Sequence, residues 1–270
     1  MADRDYILGT HDAEIWRLKL QHSVWRPRML DAWRRAGIAR GQTVIDIGSG
    51  PGYASLELAE IVGPTGRVIA VERSARFLET LKQAAAARGA TNIAAIEGDI
   101  TQTSIGNRVA DAAWCRWVFS WLTAPEQGVA NIARALKPGG VAVFHEYLSY
   151  ASWSLAPRNA AFTAFVQAVI DSVAKTGANI DSALTLPSLL DEAGFEIVAL
   201  NPIVDVVAPD NDVWQWPTAF VRGYRDKLIA DGLLTAEQAE AAVAAIDLAE
   251  SKGGARMVTP MVLEIVARRR

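Results

Sequence analysis

The sequence contains few of the residues that several classes of protein require. It has 1 cysteine in 270 residues, which excludes a disulfide framework within the chain. Basic residues number 27 against 30 acidic ones, a formal net charge of −3, whereas duplex DNA and anionic membranes attract basic surfaces. We therefore expect no nucleic acid and no membrane surface among the main partners.

Long apolar runs are also missing. No stretch approaches the roughly 20 apolar residues that span a bilayer, and the charged residues 1–5 are followed by no signal-peptide-like apolar segment. Together with the single cysteine, this pattern predicts a cytoplasmic protein without a membrane span. The length suits one large domain or two small ones.

Aromatic residues are scarce in one part of the chain. Residues 34–113 contain only Tyr53 and Phe77 of the chain's 9 Trp, 5 Tyr and 7 Phe. All the tryptophans lie outside this stretch, at positions 16, 25, 33, 114, 117, 121, 153, 214 and 216. Such a division predicts two regions with different roles.

From about residue 43, short apolar runs alternate with longer helical segments. The predicted strands cover 43–47, 67–72, 92–97, 110–115 and 141–144, and residues 137–140 (Lys-Pro-Gly-Gly) form a turn before the fifth. Helices are predicted near 155–176, 184–194, 212–231 and 235–252, and two further strands over 195–207 and 258–267. This order predicts an α/β fold with a Rossmann-like, seven-stranded, mostly parallel sheet and helices on both faces.

The domain organisation follows from the same pattern. Residues 1–37 are predicted to form an N-terminal helical cap, and residues 38–270 a nucleotide-binding-type domain. Two helical insertions, at about 148–193 and 209–257, are predicted to act as lids.

The strongest local signal is a glycine-rich turn between a strand and a helix. Residues 44–52 read Val-Ile-Asp-Ile-Gly-Ser-Gly-Pro-Gly, with glycines at 48, 50 and 52. Glycines tolerate the turn and allow a ligand to approach the backbone, and the helix N-terminus offers unpaired N–H groups. The spacing departs from the G-x-G-x-x-G of dinucleotide sites, and Asp46 would repel a pyrophosphate but suits an ammonium group.

Two more carboxylates follow the next two predicted strands. Glu72 can accept hydrogen bonds from a ribose diol, and Asp99 from an adenine amine, with the next backbone N–H donating to a ring nitrogen. Carboxyl ends of parallel strands meet at one edge, where open α/β sheets bind ligands.

With these motifs, the chain resembles the class I S-adenosylmethionine-dependent methyltransferases, most closely a small-molecule branch similar to quinone C-methyltransferases. The residues that carry the resemblance are 44–52, 68–72 (VIAVE), 97–100 (EGDI), 111–122 and 137–140 (KPGG), with weaker likeness at 6–10 and at Glu14, Arg17, Leu18 and Gln21. The resemblance implies S-adenosylmethionine as cofactor and a set of cofactor-binding residues: Asp46, Gly48, Ser49, Gly50, Gly52, Glu72, Arg73, Asp99, Ile100, Cys115, Arg116 and Gln21.

The substrate side is predicted from the aromatic residues around the cofactor end. Trp faces accommodate a sulfonium cation and a flat or apolar substrate, and the predicted substrate-binding residues are Tyr6, Trp117, Tyr147, Trp153 and Trp214. His145, near the end of the fifth strand, is the candidate general base for a phenol or enol; the alternative is a histidine packed under the lids. Arg116 either clamps a carboxylate or forms a structural ion pair.

No metal site is predicted, because the chain has no His pair at i, i+4 and no acidic residue at the end of the fourth strand. The predicted function is methyl transfer to an O, C or N nucleophile of a small aromatic or hydrophobic metabolite. A non-methylating protein of this fold, such as a cofactor-assisted cyclase or binder, remains an alternative, and an NAD-dependent oxidoreductase a lesser one. A homodimer is left open.

Overall fold

The computed structural model describes residues 11–270. The strands are β1 (Thr43–Ile47), β2 (Arg67–Glu72), β3 (Ile93–Glu97), β4 (Ala110–Arg116), β5 (Leu136–Ser149), β6 (Ser154–Ala156), β7 (Phe195–Ile203), β8 (Val206–Val207), β9 (Arg256–Val258) and β10 (Met261–Arg269). The helices are α1 (Asp12–Ala36), α2 (Tyr53–Val62), α3 (Ala75–Ala87), α4 (Pro125–Ala135), α5 (Ala160–Ala174), α6 (Leu186–Glu192), α7 (Asp212–Ala230) and α8 (Ala236–Lys252).

Seven strands form one sheet in the order β3-β2-β1-β4-β5-β10-β7. The first five are parallel, and β10 runs antiparallel to both β5 and β7. The strand order reverses between β1 and β4, and open α/β sheets bind ligands in the crevice at such a point. The predicted α/β class and the mostly parallel seven-stranded sheet are confirmed.

Helices cover both faces of the sheet. On one face, Met29 and Trp33 of α1 and Leu58 of α2 pack with buried strand residues such as Val44. On the other, Ile132 of α4 and Leu190 of α6 pack with a second set of strand residues. The near-continuously apolar strands fit a sheet that is buried on both sides.

A third apolar cluster lies beyond the carboxyl end of β5. It joins α5, α7 and α8 with a small antiparallel sheet of order β6-β9-β8, and α7 packs against α1. Apart from β8, these elements come from the two segments predicted as insertions, so the chain after β5 builds a helical layer above one edge of the main sheet.

Several element boundaries differ from the sequence predictions. The helix predicted from residue 155 begins at Ala160, after β6, where the Asn159 side chain caps its first turn by accepting from the Phe162 N–H. The strand predicted over 195–207 is two strands, β7 and β8, in different sheets. Residues 137–140 are an irregular part of β5, where the pairing with β4 shifts register and Gly139 has φ +79°.

Candidate active site

One large open cavity lies at the carboxyl ends of the parallel strands, covered by α1 and α7. Its volume is about 1360 Å³, including the space continuous with solvent. From the predicted cofactor and substrate sets, twelve residues line it: Gln21, Asp46, Gly48, Ser49, Gly50, Glu72, Arg73, Asp99, Ile100, Arg116, Trp117 and Tyr147.

The glycine-rich turn forms the floor next to β1. Gly48 and Gly50 have φ values of +62° and +54°, which other residues rarely adopt. A Cβ on Gly48 would lie 2.3 Å from Cγ2 of Val118, whereas a Cβ on Gly50 would meet nothing within 4 Å. The buried hydroxyl of Ser49 has no hydrogen-bond partner within residues 11–270. The turn therefore offers a ligand both backbone access and one unsatisfied polar group.

Glu72 ends β2 with its side chain buried beside this turn. Its Oε2 accepts a hydrogen bond from the N–H of Gly50 at 2.9 Å, and its Oε1 one from the N–H of Ser74, also at 2.9 Å. Burial raises the pKa of Glu72 above the ordinary glutamate value, while these N–H donors oppose that shift. The two bonds fix the carboxylate and leave further acceptor capacity on each oxygen.

Asp46 lies within β1, and its side chain is 1% exposed. It accepts a hydrogen bond from the Ser55 hydroxyl at 2.5 Å. Burial raises the pKa of Asp46 to about 7, against the lowering effect of the Ser55 bond and the Arg116 charge. A cationic group entering the cavity would therefore favour the ionised carboxylate.

Asp99 and Ile100 follow β3 in a short turn. The Asp99 carboxylate accepts hydrogen bonds from the backbone N–H and the hydroxyl of Thr101, and the Ile100 carbonyl accepts one from the Asn131 amide at 2.6 Å. Arg73 Nη1 lies 3.7 Å from Asp99 Oδ2. The turn thus holds one carboxylate and one buried apolar side chain at the far end of the cavity.

Arg116 ends β4 and is surrounded mainly by aromatic rings. Its guanidinium lies 5.9 Å from the Trp114 ring centroid and 5.3 Å from that of Trp117, and its Nη1 is 4.0 Å from the Met29 sulfur. Burial lowers the pKa of Arg116 to about 10, opposed by the nearby Asp46 charge. No carboxylate within residues 11–270 forms an ion pair with it, so the structural ion pair considered for Arg116 is absent from that part of the chain.

The opposite wall is aromatic. The Trp117 ring stacks on Tyr147 at a centroid distance of 5.5 Å and on Trp216 at 5.3 Å, and meets the edge of Trp25 at 5.0 Å. Trp117 has φ +53°, in the left-handed region. Burial raises the pKa of the Tyr147 phenol. These ring contacts hold the aromatic side chains of the wall in fixed orientations.

Helix α1 supplies residues that the sequence prediction included only in part. Arg17 forms a buried bidentate pair with Glu14, both bonds 2.7 Å, and donates to Gln21 at 3.0 Å. His22 also lines the cavity, and burial lowers its pKa to about 4. The spacing of Glu14, Arg17 and Gln21 on one helix face was a usable signal.

Other lining residues were not among the predicted site residues, although two of them lie in the 111–122 segment that carries the resemblance. Phe220 reaches the cavity only because α7 packs against α1, and Val118 and Trp121 because the segment after β4 turns back over the glycine turn. Contacts of this kind depend on tertiary packing between segments far apart in the chain.

His145, the predicted general base, does not line the cavity. It is fully buried, and its Nε2 is 3.3 Å from Oε2 of Glu264 on β10. Burial lowers the pKa of His145. Although desolvation raises the pKa of Glu264, hydrogen bonds from His145, Arg35 and Asn201 lower it to about 2. This placement favours the packed alternative considered for the histidine.

Four other predicted residues also lie outside the lining, for separate reasons. Gly52 caps α2, and a Cβ there would overlap Leu81. Cys115 is buried, and burial raises its pKa well above the ordinary thiol value. Trp153 and Trp214 pack in the helical layer, and Trp214 Nε1 donates to Glu250. Tyr6 lies outside the described residues.

Residues 11–270 contain no group of three or more His, Cys, Asp or Glu side chains arranged to hold a metal ion. The same residues contain no helix of the length and apolarity that crossing a membrane requires.

The chain is similar to known methyltransferases in both sequence and structure. A family described as "Methyltransferase domain" matches residues 44–140. A 2-phytyl-1,4-naphtoquinone methyltransferase of Trichormus variabilis is 29% identical over 180 residues, which are 64% of this chain and 74% of the relative. The chain spans as little as 40% of other curated relatives that it matches.

Solved structures agree on the fold. A putative methyltransferase from Bacillus halodurans superposes with a TM-score of 0.60 at 17% identity, covering 89% of this chain and 97% of that one. The [4+2]-cyclase SpnF gives a TM-score of 0.57 at 21% identity, covering 90% of this chain and 80% of that one. At these identities the likeness concerns the fold alone. The chain therefore has the methyltransferase fold, and its residues 44–140 match the methyltransferase-domain family.

Proposed function

We propose that the protein transfers the methyl group of S-adenosylmethionine to an O, C or N nucleophile of a small aromatic or hydrophobic metabolite. The observation that carries the proposal is the convergence of Asp46, Glu72 and Asp99, from three neighbouring strands, on one cavity with the glycine turn. Three carboxylates along one edge of a sheet can accept hydrogen bonds from the ammonium, the ribose diol and the adenine amine of one ligand.

The residues present fit that cofactor. The open space at Gly50 and the unpartnered Ser49 hydroxyl lie where a ligand would contact the turn. Asp46 is the candidate for the ammonium group, Arg116 for the carboxylate, Glu72 for the ribose and Asp99 with Ile100 for the adenine. Arg116 suits this role because it is a half-buried cation that forms no ion pair with a carboxylate within residues 11–270.

The cofactor supplies an electrophilic methyl group on a sulfonium. The chain's own contribution is to align the acceptor, exclude water and surround positive charge with aromatic faces. Trp117 and Tyr147 are placed for this, since both line the cavity and stack on each other. No residue is assigned as general base, because the His145 imidazole is buried in the core and does not line the cavity.

The aromatic wall favours a flat or apolar methyl acceptor. Trp117, Trp121, Tyr147 and Phe220 line the same cavity as the three carboxylates. A naphtoquinone methyltransferase among the relatives is consistent with a substrate of this class.

Two measurements test the proposal together. Isothermal titration should show that the wild-type protein binds S-adenosylhomocysteine, and absence of binding would overturn the proposal. Incubation with S-adenosylmethionine carrying a labelled methyl group and a panel of hydroxynaphthoquinones and phenols should give a labelled organic product. Binding without transfer to any acceptor would favour the non-methylating alternative.

A further inference from the structure

A buried carboxylate outside the cavity lining holds together several parts of the site. Glu146 lies on β5 between His145 and Tyr147, and its side chain is 0% exposed. Its Oε1 accepts hydrogen bonds from the backbone N–H groups of Val118 and Phe119, at 2.8 and 3.1 Å. Burial raises the pKa of Glu146, and these N–H donors oppose the shift.

The second oxygen binds two further residues. Oε2 accepts from the N–H of Ser120 at 3.3 Å and from its hydroxyl at 3.0 Å. It also accepts from the hydroxyl of Ser182 at 3.3 Å. Within residues 11–270, Glu146 has no Lys, Arg or His in ion-pair contact, so its charge is balanced by these dipoles.

The segment held by Glu146, residues 117–121, shapes both halves of the cavity. Trp117 and Trp121 belong to the aromatic wall, and Val118 is the residue that a Cβ on Gly48 would overlap. Trp117 occupies the left-handed region, which is strained for a residue with a Cβ and persists only where the surroundings enforce it. The three N–H groups that Glu146 anchors follow directly after this residue.

Ser182 connects the same carboxylate to the segment predicted as the first lid insertion. It begins a short 3-10 turn (Ser182–Leu184) that precedes α6. The neighbouring Asp181 accepts a hydrogen bond from the Tyr150 N–H at 2.6 Å, just beyond the end of β5. Glu146 is therefore the shared acceptor for the 117–121 segment and for this turn.

We propose that Glu146 is a positioning residue that fixes the 117–121 segment against the glycine turn and couples it to the Ser182–Leu184 turn. Its effect on catalysis rests on the proposed methyltransferase function, but its effect on the segment does not. Glu146 acts through Trp117 and Val118 and touches neither the cavity nor its contents.

Hydrogen–deuterium exchange on the full chain without ligand tests this directly. Glu146→Gln removes the negative charge that strengthens the bonds to both oxygens and replaces Oε2 with a donor amide, so the amides of residues 118–120 should exchange about tenfold faster than in the wild type. Exchange in α3 should not change, which shows that the fold is intact. Unchanged exchange at 118–120 would overturn the proposal.

The matched variant is Ser182→Ala, which removes one donor and leaves the carboxylate. It should speed exchange around 182–185 and leave residues 118 and 119 protected, since Oε1 keeps both of its bonds. Equal acceleration of both segments in Ser182→Ala would contradict the assignment of the two oxygens. This variant also keeps the test decisive if Glu146→Gln does not fold.

A spectroscopic readout separates positioning from a general loss of stability. The stacked indoles of Trp117 and Trp216 should contribute to the near-ultraviolet circular dichroism, and Trp117→Phe identifies that contribution. Glu146→Gln should lose the same band and bind S-adenosylhomocysteine about tenfold more weakly. Retention of both would overturn the proposal, whereas failure of the wild type to bind would overturn only the proposed function.

Discussion

The two halves of the cavity are built in different ways. The half near β1, β2 and β3 uses glycines, backbone N–H groups and three carboxylates, and its residues come from short motifs at strand ends. The half near Trp117 and Tyr147 uses stacked aromatic rings from β5, the 117–121 segment and α7. The lining residues of the first half come from short motifs, and those of the second depend on packing between distant segments.

This difference separates what each half can recognise. Fixed carboxylates and backbone groups suit one defined polar ligand, because each hydrogen bond requires a partner at one position. A wall of aromatic rings accepts any flat apolar molecule of suitable size. The first half therefore suits a common cofactor, and the second a substrate that can vary between relatives.

The largest expected effect comes from the polar half. Glu72→Gln should weaken binding of S-adenosylhomocysteine about 30-fold, because charge-assisted hydrogen bonds contribute about 1.5–3 kcal/mol. Isothermal titration at pH 8 measures the change in dissociation constant.

The matched control for this variant is Glu97→Gln. Glu97 pairs in register with Glu72 on the neighbouring strand but is exposed and lies outside the cavity. It should bind within twofold of the wild type. Equal weakening in both variants would show that the polar half does not select its ligand through Glu72.

A smaller effect is expected from pH. Because burial raises the pKa of Asp46 to about 7, the carboxylate becomes protonated as the pH falls below that value. Affinity for the ammonium-bearing S-adenosylhomocysteine should drop about tenfold between pH 8 and pH 5.5. Asp46→Asn should bind weakly with a flat profile over this range, measured by titration at four pH values.

The stability of the unliganded protein should change in the same pH range. The folded pKa of Asp46 lies above the ordinary value of roughly 3.9 for the unfolded chain. The stabilising contribution of protonated Asp46 is therefore full below about pH 4 and lost as the pH rises through about 7. A pH profile that Asp46→Asn leaves unaltered, in both affinity and stability, would rule out this role for Asp46.

The smallest effect is expected from a tryptophan outside the cavity. Trp214→Phe removes the bond from Nε1 to Glu250 and should lower the free energy of unfolding by about 1 kcal/mol. Affinity for S-adenosylhomocysteine should stay within twofold of the wild type, since Trp214 packs in the helical layer. Urea denaturation measures the free energy of unfolding, and titration measures the affinity. A large loss of affinity would show that the binding site extends to Trp214.

The polar half was largely predictable from the sequence. Glu72 ends β2, Asp99 follows β3 and Asp46 lies one residue before the end of β1, and parallel pairing brings these strand ends to one edge. The glycine turn was equally predictable, because its φ values favour residues without a Cβ. The regular pairing of parallel strands was enough to place these groups.

For the aromatic half, the sequence predicted only which parts of the chain hold the aromatic residues. The sequence indicated that aromatic residues lie outside 34–113, but not that Trp117 and Tyr147 line the cavity while Trp153 and Trp214 do not. Because side chains alternate along β5, the sequence predicts that His145 and Glu146 point to opposite faces of the sheet. It does not predict that His145 lies beside Glu264 and that Glu146 binds the 117–121 segment. Such assignments depend on contacts between residues far apart in the chain.

The most direct test of the two-part cavity is a crystal structure with S-adenosylhomocysteine. The account predicts that the ribose hydroxyls contact Glu72, the adenine lies at Asp99 and Ile100, and the sulfur faces Trp117 and Tyr147. Adenosine bound against the aromatic wall, with the carboxylates left in solvent, would contradict it.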